Sequence, residues 1–496
     1  MQTPDNPVRT RHADILPRHC GLYYGGQWHD ALSARTFAVH DPATGAWLAN
    51  VADGGPADAR AAMDCASTGF RVWQQLPPMQ RAAHMKTLAG IVREHAEELA
   101  LLDALDSGNP VREMHSDVQA AAAAFDYFAG LVTEMKGASI PAGPDALNFS
   151  IREPLGIVVR IVPFNHPFMF CMSNAAAPLA AGNAVVLKPA AQAPLSSLRL
   201  AELADGVLPA GVLNVLNGGN ELGASLTTDP RVAMVGLIGS VPTGRTVMAA
   251  CAARVTPVLL ELGGKNALVA YPDVQPEQAA RAALAGMNLG WCGQSCGSTS
   301  RAFIHESIHD QVLPMLKSQV QAWKPGLPTN VDTTMGCINN RAQYERILDY
   351  IAIGKQEATL LCGGNPVRDP ALAGGLFIEP TIFINVEPDM RIASEEIFGP
   401  VLSVLKWHDE DALVEHVNSV EYGLTCAIWT RDIIKACRLA SRVHAGYVWL
   451  NETSRHFPGS PFGGCKQSGM GRTESLEELL AFTRLKHIHV NLDIDR

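Results

Sequence analysis

The chain has 496 residues, 47% of them hydrophobic and 18% charged, and a formal net charge of -10. That length exceeds one ordinary core and predicts two or three domains, and the composition leaves no room for long disorder. An acidic balance with no block of Lys or Arg argues against nucleic acid or an anionic membrane as the main partner. The apolar stretches are broken by Asn, Gly and Pro well short of a membrane span. The opening MQTPDNPVRTRHADILPRH lacks the apolar core of a secretory signal. The eleven cysteines are odd in number and contain no CxxC pair. They predict reduced thiols in a cytoplasmic protein, with no zinc or other metal site.

In chain order, residues 20–50 alternate polar and apolar between turn residues and predict short strands. Helices follow from Pro56 to about Met135. One opens at Pro56-Ala57-Asp58. A second runs from Pro78 towards Asp106 and stops at Ser107-Gly108-Asn109-Pro110. A third covers 115–135. Ala138–Pro141 and Asn148–Glu153 read as two strands joined by AGPDA. A lone hairpin cannot bury itself. The closing Lys486–Leu492 also alternates, and the pieces together predict an oligomerisation arm.

From Gly156 to about Ala270 short apolar strands alternate with helices. The strands are GIVVRIV, AVVLK, VLNVL, VAMVGLI, TPVLLEL and NALVA. The intervening helices are Pro167–Ala181, Leu195–Val207, Leu222–Thr228 and Thr243–Ala253. Near-continuous apolar runs are the pattern of buried parallel strands, so this is an α/β, doubly wound unit. A second alternation runs from Pro276 to about Leu450, with FIHES, FIEPTIF, PVLSVLKW, CAIWT and GYVWLN as strands. Gly263–Gly264 marks the boundary between the two units.

Two loops between a strand and a helix are rich in glycine: Leu216–Gly223 (LNGGNELG) and Gly239–Gly244 (GSVPTG). Bare backbone ahead of a helix N-terminus makes an anion site, although neither loop is a GxGxxG fingerprint. Lys188 ends the strand AVVLK, at the edge where such sheets bind ligands. Glu261 follows four apolar residues. Burial there would raise its pKa and make it a usable base. Asn165 stands between Pro163 and Pro167, a braced position for an amide that could hold an oxyanion. His166 beside it reads as positional. Cys296 lies in GQSCGSTSR, where small neighbours leave a thiol accessible. Each of these also has an ordinary reading as a turn, a surface lysine, a strand-end acid or a buried thiol.

Together, VPFNHP, LKPAAQAP, the GS pair with Gly244, LELGGKN, GQSCGSTSR, EEIFGPV and PFGGCKQSGMGR resemble the aldehyde dehydrogenase superfamily over nearly the whole chain. The resemblance implies a Rossmann-like dinucleotide-binding domain (1–135 and 156–262), a second α/β catalytic domain (263–465) and a small β oligomerisation arm (136–155 and 480–496). It implies oxidation of an aldehyde to the acid with NAD or NADP, in a homodimer or homotetramer. Cys296 would form a thiohemiacetal and then a thioester. Asn165 and the Cys296 N–H would hold the oxyanion, and Glu261 would activate water. Lys188 would bind a cofactor ribose. Gly239 and Ser240 would face the adenosine and pyrophosphate, and Glu396 with Phe398 would position the nicotinamide ribose. Ile161, Phe164, Gly218, Gly223, Gly244 and Leu262 complete the implied cofactor set. Relatives that transfer the acyl group to coenzyme A tend to lack the glutamate present here at 261, so its presence favours hydrolysis. Coenzyme A acylation, or a binding protein that kept the fold, are the alternatives.

The sequence departs from the family pattern in places. The common KPSE is Lys188-Pro189-Ala190-Ala191 here. The missing glutamate usually grips the adenosine ribose and repels a 2′-phosphate, so NADP should be tolerated. Phe164 replaces the usual Trp before the Asn. Trp291 and Cys292 stand where polar residues are usual, and Gly297 is smaller than the usual neighbour of the thiol. Phe168, Trp291, His456 and Phe457 are the residues expected at the substrate tunnel, which favours an apolar or aromatic aldehyde. For Cys292, filling space is favoured over an off-cycle disulfide.

Overall fold

The structure is a computed structural model that describes residues 13–493. The opening stretch tested for a signal, and the outer ends of 1–135 and 480–496, lie partly outside the described residues.

Two large sheets carry the fold. The centre of the first is five parallel strands in the order Leu213–Val215, Ala184–Lys188, Ile157–Ile161, Val232–Ile238, Val258–Glu261. Leu22–Tyr24 and Gln27–His29 extend one edge and Gly469–Met470 closes the other, each antiparallel. The strands are apolar throughout because both faces are covered. Val158, Val185 and Leu187 point into a core shared with the helices Pro78–Glu94, Val111–Gly130 and Pro167–Ala181. Their neighbours Ile157, Val159 and Val186 meet Pro56–Trp73, Asn220–Thr228 and Val241–Ala252 on the other face. Each such side chain, once buried, contributes about 1.5–3 kcal/mol. The chain winds outward from Ile157–Ile161 to Leu213–Val215, then crosses back to Val232–Ile238. Reversal of winding there opens a crevice at the carboxyl ends of the strands.

The second sheet runs Thr359–Cys362, Thr381–Ile384, Val401–Trp407, Arg301–His305, Ala267–Ala270, Thr425–Trp429, Tyr447–Leu450, parallel except at its first pair. NALVA therefore belongs to this second sheet, not to the first alternation. The chain passes between the sheets through Leu262–Asn266. A third, small sheet pairs Thr483–Asn491 with Ala146–Pro154 over nine residues, with Ser139–Ile140 on the far side. Ile140, Leu147, Ile151 and Leu485 on these strands are exposed.

Several element ends differ from expectation for local reasons. The helix expected from Pro78 to Asp106 is two helices, Pro78–Glu94 and Ala96–Ser107. His95 leaves helical geometry between them (φ -102, ψ 16) and hydrogen-bonds Glu98 through its ring. The helix expected at 115–135 runs Val111–Gly130, starting directly after Pro110. FIHES is cut at His305, whose ring accepts the Ser307 N–H and caps the helix Glu306–Gln319. Ser240 caps Val241–Ala252 in the same way, accepting from the Thr243 N–H.

Candidate active site

The register of the first sheet sets one row of residues along its carboxyl edge. Glu261 pairs with Ile238, the adjacent Leu237 with Ile161, and Ile161 with Lys188. Asn165 leaves the strand Ile157–Ile161 four residues beyond its end. From the other unit, the loop carrying Cys296 leaves the helix Pro276–Gly286 and returns into Arg301–His305.

That loop is tied down from several sides. Asn288 and Cys292 both adopt left-handed backbone, with φ of 52 and 54. A Cβ on Gly293 would strike the Gly399 carbonyl, so only glycine lets the loop lie against the EEIFGPV segment. The buried Gln294 accepts the Asn339 N–H at 3.2 Å. Asn266 donates through Nδ2 to the carbonyls of Cys296 (2.7 Å) and Ser298 (3.0 Å), while its Oδ1 accepts the Thr425 N–H. The Thr425 hydroxyl reaches the Gly297 carbonyl. Asn165 Nδ2 donates to the Gln294 carbonyl at 2.9 Å, which brings its amide to the thiol loop. Asn109 in turn holds the Asn165 carbonyl. Asn266, Gln294 and Asn109 were not singled out from the sequence. Asn266 lies within LELGGKN and Gln294 within GQSCGSTSR, so the motifs contained them.

Cys296 remains partly accessible. Burial pushes its thiol well up, and the Glu261 carboxyl beside it pushes the same way. Glu261 is 4% exposed, and neither of its oxygens has an ordinary hydrogen-bond partner among the described residues. Desolvation raises its pKa to about 8, opposed by its contact with Cys296. A buried acid without a compensating cation behaves this way, and a carboxyl so shifted can serve as a base near neutral pH. The strand Gly469–Met470 fixes its backbone, pairing Glu261 with Gly469. Ser468 accepts the Leu262 N–H through its carbonyl and donates its hydroxyl to the Gly263 carbonyl.

Residues that the family resemblance implies for the cofactor lie along the same edge. Lys188 is 9% exposed, and burial lowers its pKa to about 8. Among the described residues its ammonium hydrogen-bonds the Pro189 carbonyl, at 3.4 Å, which leaves a buried donor with spare capacity. Added Cβ atoms at Gly223 and Gly239 would meet only ordinary contacts, at 3.6 and 3.5 Å. Gly218 and Gly244 are constrained from within the chain, by the Gly54 carbonyl (2.6 Å) and by Leu262 (2.6 Å). Glu396 accepts the Gly264 N–H at 2.9 Å, and its carboxylate fills the place a Gly263 side chain would take. Phe164 and Phe398 meet edge to face at 6.1 Å, with Phe398 in left-handed backbone (φ 59). An underbonded buried lysine, open glycines and a carboxylate at the domain junction fit a dinucleotide.

The expected tunnel residues separate. Phe168 is fully buried in the core of the first unit, so it is packing and not lining. It sits one residue inside the helix Pro167–Ala181, on the face that helix turns to its neighbours. Trp291 packs near Ala100, Ala104 and Met114, with its ring 5.3 Å from that of His166. Cys292 is fully buried in the second unit's core and is a free thiol. His456 pairs with Glu474 at 3.0 Å among Tyr447, Trp449 and Phe462. Its side chain is 40% exposed. Phe457 is exposed under the Arg455 guanidinium. Trp449, which the sequence did not single out, reaches within 4.0 Å of where a Gly297 Cβ would stand. Only the pairing of Thr425–Trp429 with Tyr447–Leu450 brings it there.

The model of the aldehyde dehydrogenase family matches residues 28–488. The chain is 46% identical over 488 residues to aldehyde dehydrogenase tropH of Talaromyces stipitatus, covering 97% of this chain and 95% of that one. It is 40% identical over 491 residues to a hydroxyisobutyraldehyde dehydrogenase of Mycolicibacterium austroafricanum, covering 98% and 97%. Among solved structures it superposes on the P. syringae indole-3-acetaldehyde dehydrogenase AldA, in complex with NAD+ and IAA, with a TM-score of 0.94 and 35% identity over 98% and 99% of the two chains. This chain belongs to the aldehyde dehydrogenase family and is an NAD(P)-dependent enzyme that oxidises an aldehyde to the acid through a cysteine adduct.

Proposed function

We propose that Cys296 is the nucleophile, Asn165 the oxyanion donor and Glu261 the base, acting on an apolar or aromatic aldehyde and releasing the free acid. The observation that carries this is Glu261: buried, unpaired and in contact with the Cys296 thiol. Glu261 takes the thiol proton as sulfur bonds the aldehyde carbon. One N–H of the Asn165 amide is held by Gln294, and the second is free for the oxygen that becomes negative. When bound, nicotinamide would supply the acceptor for the hydride of the Cys296 thiohemiacetal, which leaves a Cys296 thioester. Lys188, Glu396 and the glycines of the carboxyl edge would hold that cofactor. Once Glu261 has released the thiol proton to solvent, its carboxylate removes a proton from water as the water oxygen bonds the thioester carbon, and Cys296 leaves as thiolate.

The aromatic surroundings support the substrate reading: Trp449 against Gly297, Trp291 against His166, and the rim of Tyr447, His456 and Phe462. The exposed apolar side chains on the small sheet support assembly as a homodimer or homotetramer through that arm. No helix of the described residues is long and apolar enough to cross a membrane.

The test uses the purified chain with benzaldehyde, NAD or NADP, and coenzyme A. Release of benzoate whether or not coenzyme A is present supports hydrolysis. Benzoyl-coenzyme A as the product overturns it. Cys296→Ala should abolish reduced nicotinamide formation while cofactor binding, read by calorimetry, persists. Unchanged turnover in that variant overturns the nucleophile.

A further inference from the structure

Beside Asn165 lies a buried polar pair that the reaction as described does not use. His166 is 9% exposed and Asp117, on the helix Val111–Gly130, is 5% exposed. His166 Nδ1 and Asp117 Oδ2 are 2.7 Å apart. A carboxylate only accepts, so Nδ1 carries the proton in this contact. The ring is held on its sides by Phe170, edge to face at 5.2 Å, and by Trp291 at 5.3 Å. Its other nitrogen, Nε2, makes no hydrogen bond to any described residue and is not sealed from solvent. His166 thus adjoins the amide that faces the thiol loop and touches an aromatic five positions before Cys296.

An imidazole fixed at one nitrogen and open at the other is a recognition group, because the fixed tautomer settles what the open nitrogen offers. Neutral, Nε2 presents a lone pair. Protonated, it presents an N–H. A hydroxyl answers both forms, whereas a C–H answers neither and would leave the nitrogen without a partner in a closed site. Trp291 and Phe170 supply apolar surface around the ring.

We propose that His166, oriented by Asp117, reads a hydroxyl group on the substrate, so that the preferred aldehydes are hydroxylated on an otherwise apolar or aromatic body. This deepens the reading of the site above and rests on it. His166 is the specificity residue, and Asp117 acts through it as a positioning residue.

The test compares kcat/KM for benzaldehyde with that for 2-, 3- and 4-hydroxybenzaldehyde, in the wild type and in His166→Phe. The intrinsic reactivity of each aldehyde cancels in the ratio of ratios. The best hydroxylated substrate should lose about tenfold relative to benzaldehyde in the variant, the usual scale of one such hydrogen bond. Asp117→Asn should lower the same ratio, with the change chiefly in KM. A relative preference unchanged in both variants overturns the proposal. Should His166→Phe fail to fold, affinity of the four aldehydes is measured by calorimetry in Cys296→Ala and in Cys296→Ala/His166→Gln. Equal discrimination in those two overturns it. Wild-type turnover of benzaldehyde without any hydroxyl effect of His166 refutes this inference alone. Benzoyl-coenzyme A as the product, or turnover by Cys296→Ala, refutes the reading beneath it.

Discussion

Asn165 Nδ2 donates to the carbonyl of Gln294, two residues before Cys296, at 2.9 Å. One contact joins the carboxyl edge of the first sheet to the thiol loop of the second unit, and it turns the amide nitrogen towards that loop. Asn165→Ala should therefore lower kcat by about 10²–10³ with a smaller effect on KM, the range seen when one oxyanion donor is removed. Steady-state kinetics on one aldehyde checks this, with a thermal melt to show that the variant is folded.

The raised pKa of Glu261 has a sign that can be worked through. Below about 8 the carboxyl is mostly protonated and cannot take a proton from water; above it the carboxylate can. Turnover should rise with pH between about 7 and 9. Glu261→Gln should remove that limb and slow both the first formation of reduced nicotinamide, read by stopped flow, and steady-state turnover. A profile unchanged in Glu261→Gln would assign the base elsewhere.

Ala191 removes the carboxylate that the family motif usually places there. NADP should then be used within about a hundredfold of NAD, roughly 2.7 kcal/mol. Ala191→Glu should move the kcat/KM ratio towards NAD by tenfold or more. Paired kinetics with the two cofactors measures both, and stronger rejection of NADP by the wild type would contradict the inference.

Gly263 leaves room for the Glu396 carboxylate, and Gly264 donates to it. Gly263→Ala should displace Glu396 and cost about 1–3 kcal/mol of local strain. The expected result is a kcat loss above tenfold. A double-mutant cycle with Glu396→Ala should be clearly non-additive. Additive losses would mean that the two positions act separately.

Much of the site was legible because its residues close motifs at element ends. Lys188 and Glu261 each end an apolar strand, Asn165 sits between two prolines, and Cys296 sits among small residues. Phe168 was misplaced because its position near Asn165 says nothing about which face of the helix it occupies, and the half-buried positions of that helix are Met169, Phe170 and Ser173 instead. Trp449 was passed over because a tryptophan in an apolar strand reads as core. It is 4% exposed and is core on most of its surface. His166 was read as positional from its place between Asn165 and Pro167, and its partner Asp117, 49 residues away, leaves no local signal.

By itself the sequence determined the alternation of strands and helices and the family, and it singled out Cys296, Glu261 and Asn165 as candidates, since these follow from local pattern: apolar runs, prolines, glycines and the residues bounding them. Tertiary structure alone decided what those groups face. Strand register put Glu261, Ile161 and Lys188 on one edge. Packing of the second unit brought Cys296 to that edge and left Glu261 dry. Burial and partnership are properties of side chains distant in the chain, so the pKa of Glu261, the orientation of Asn165 and the pairing of His166 with Asp117 exist only once the two sheets meet.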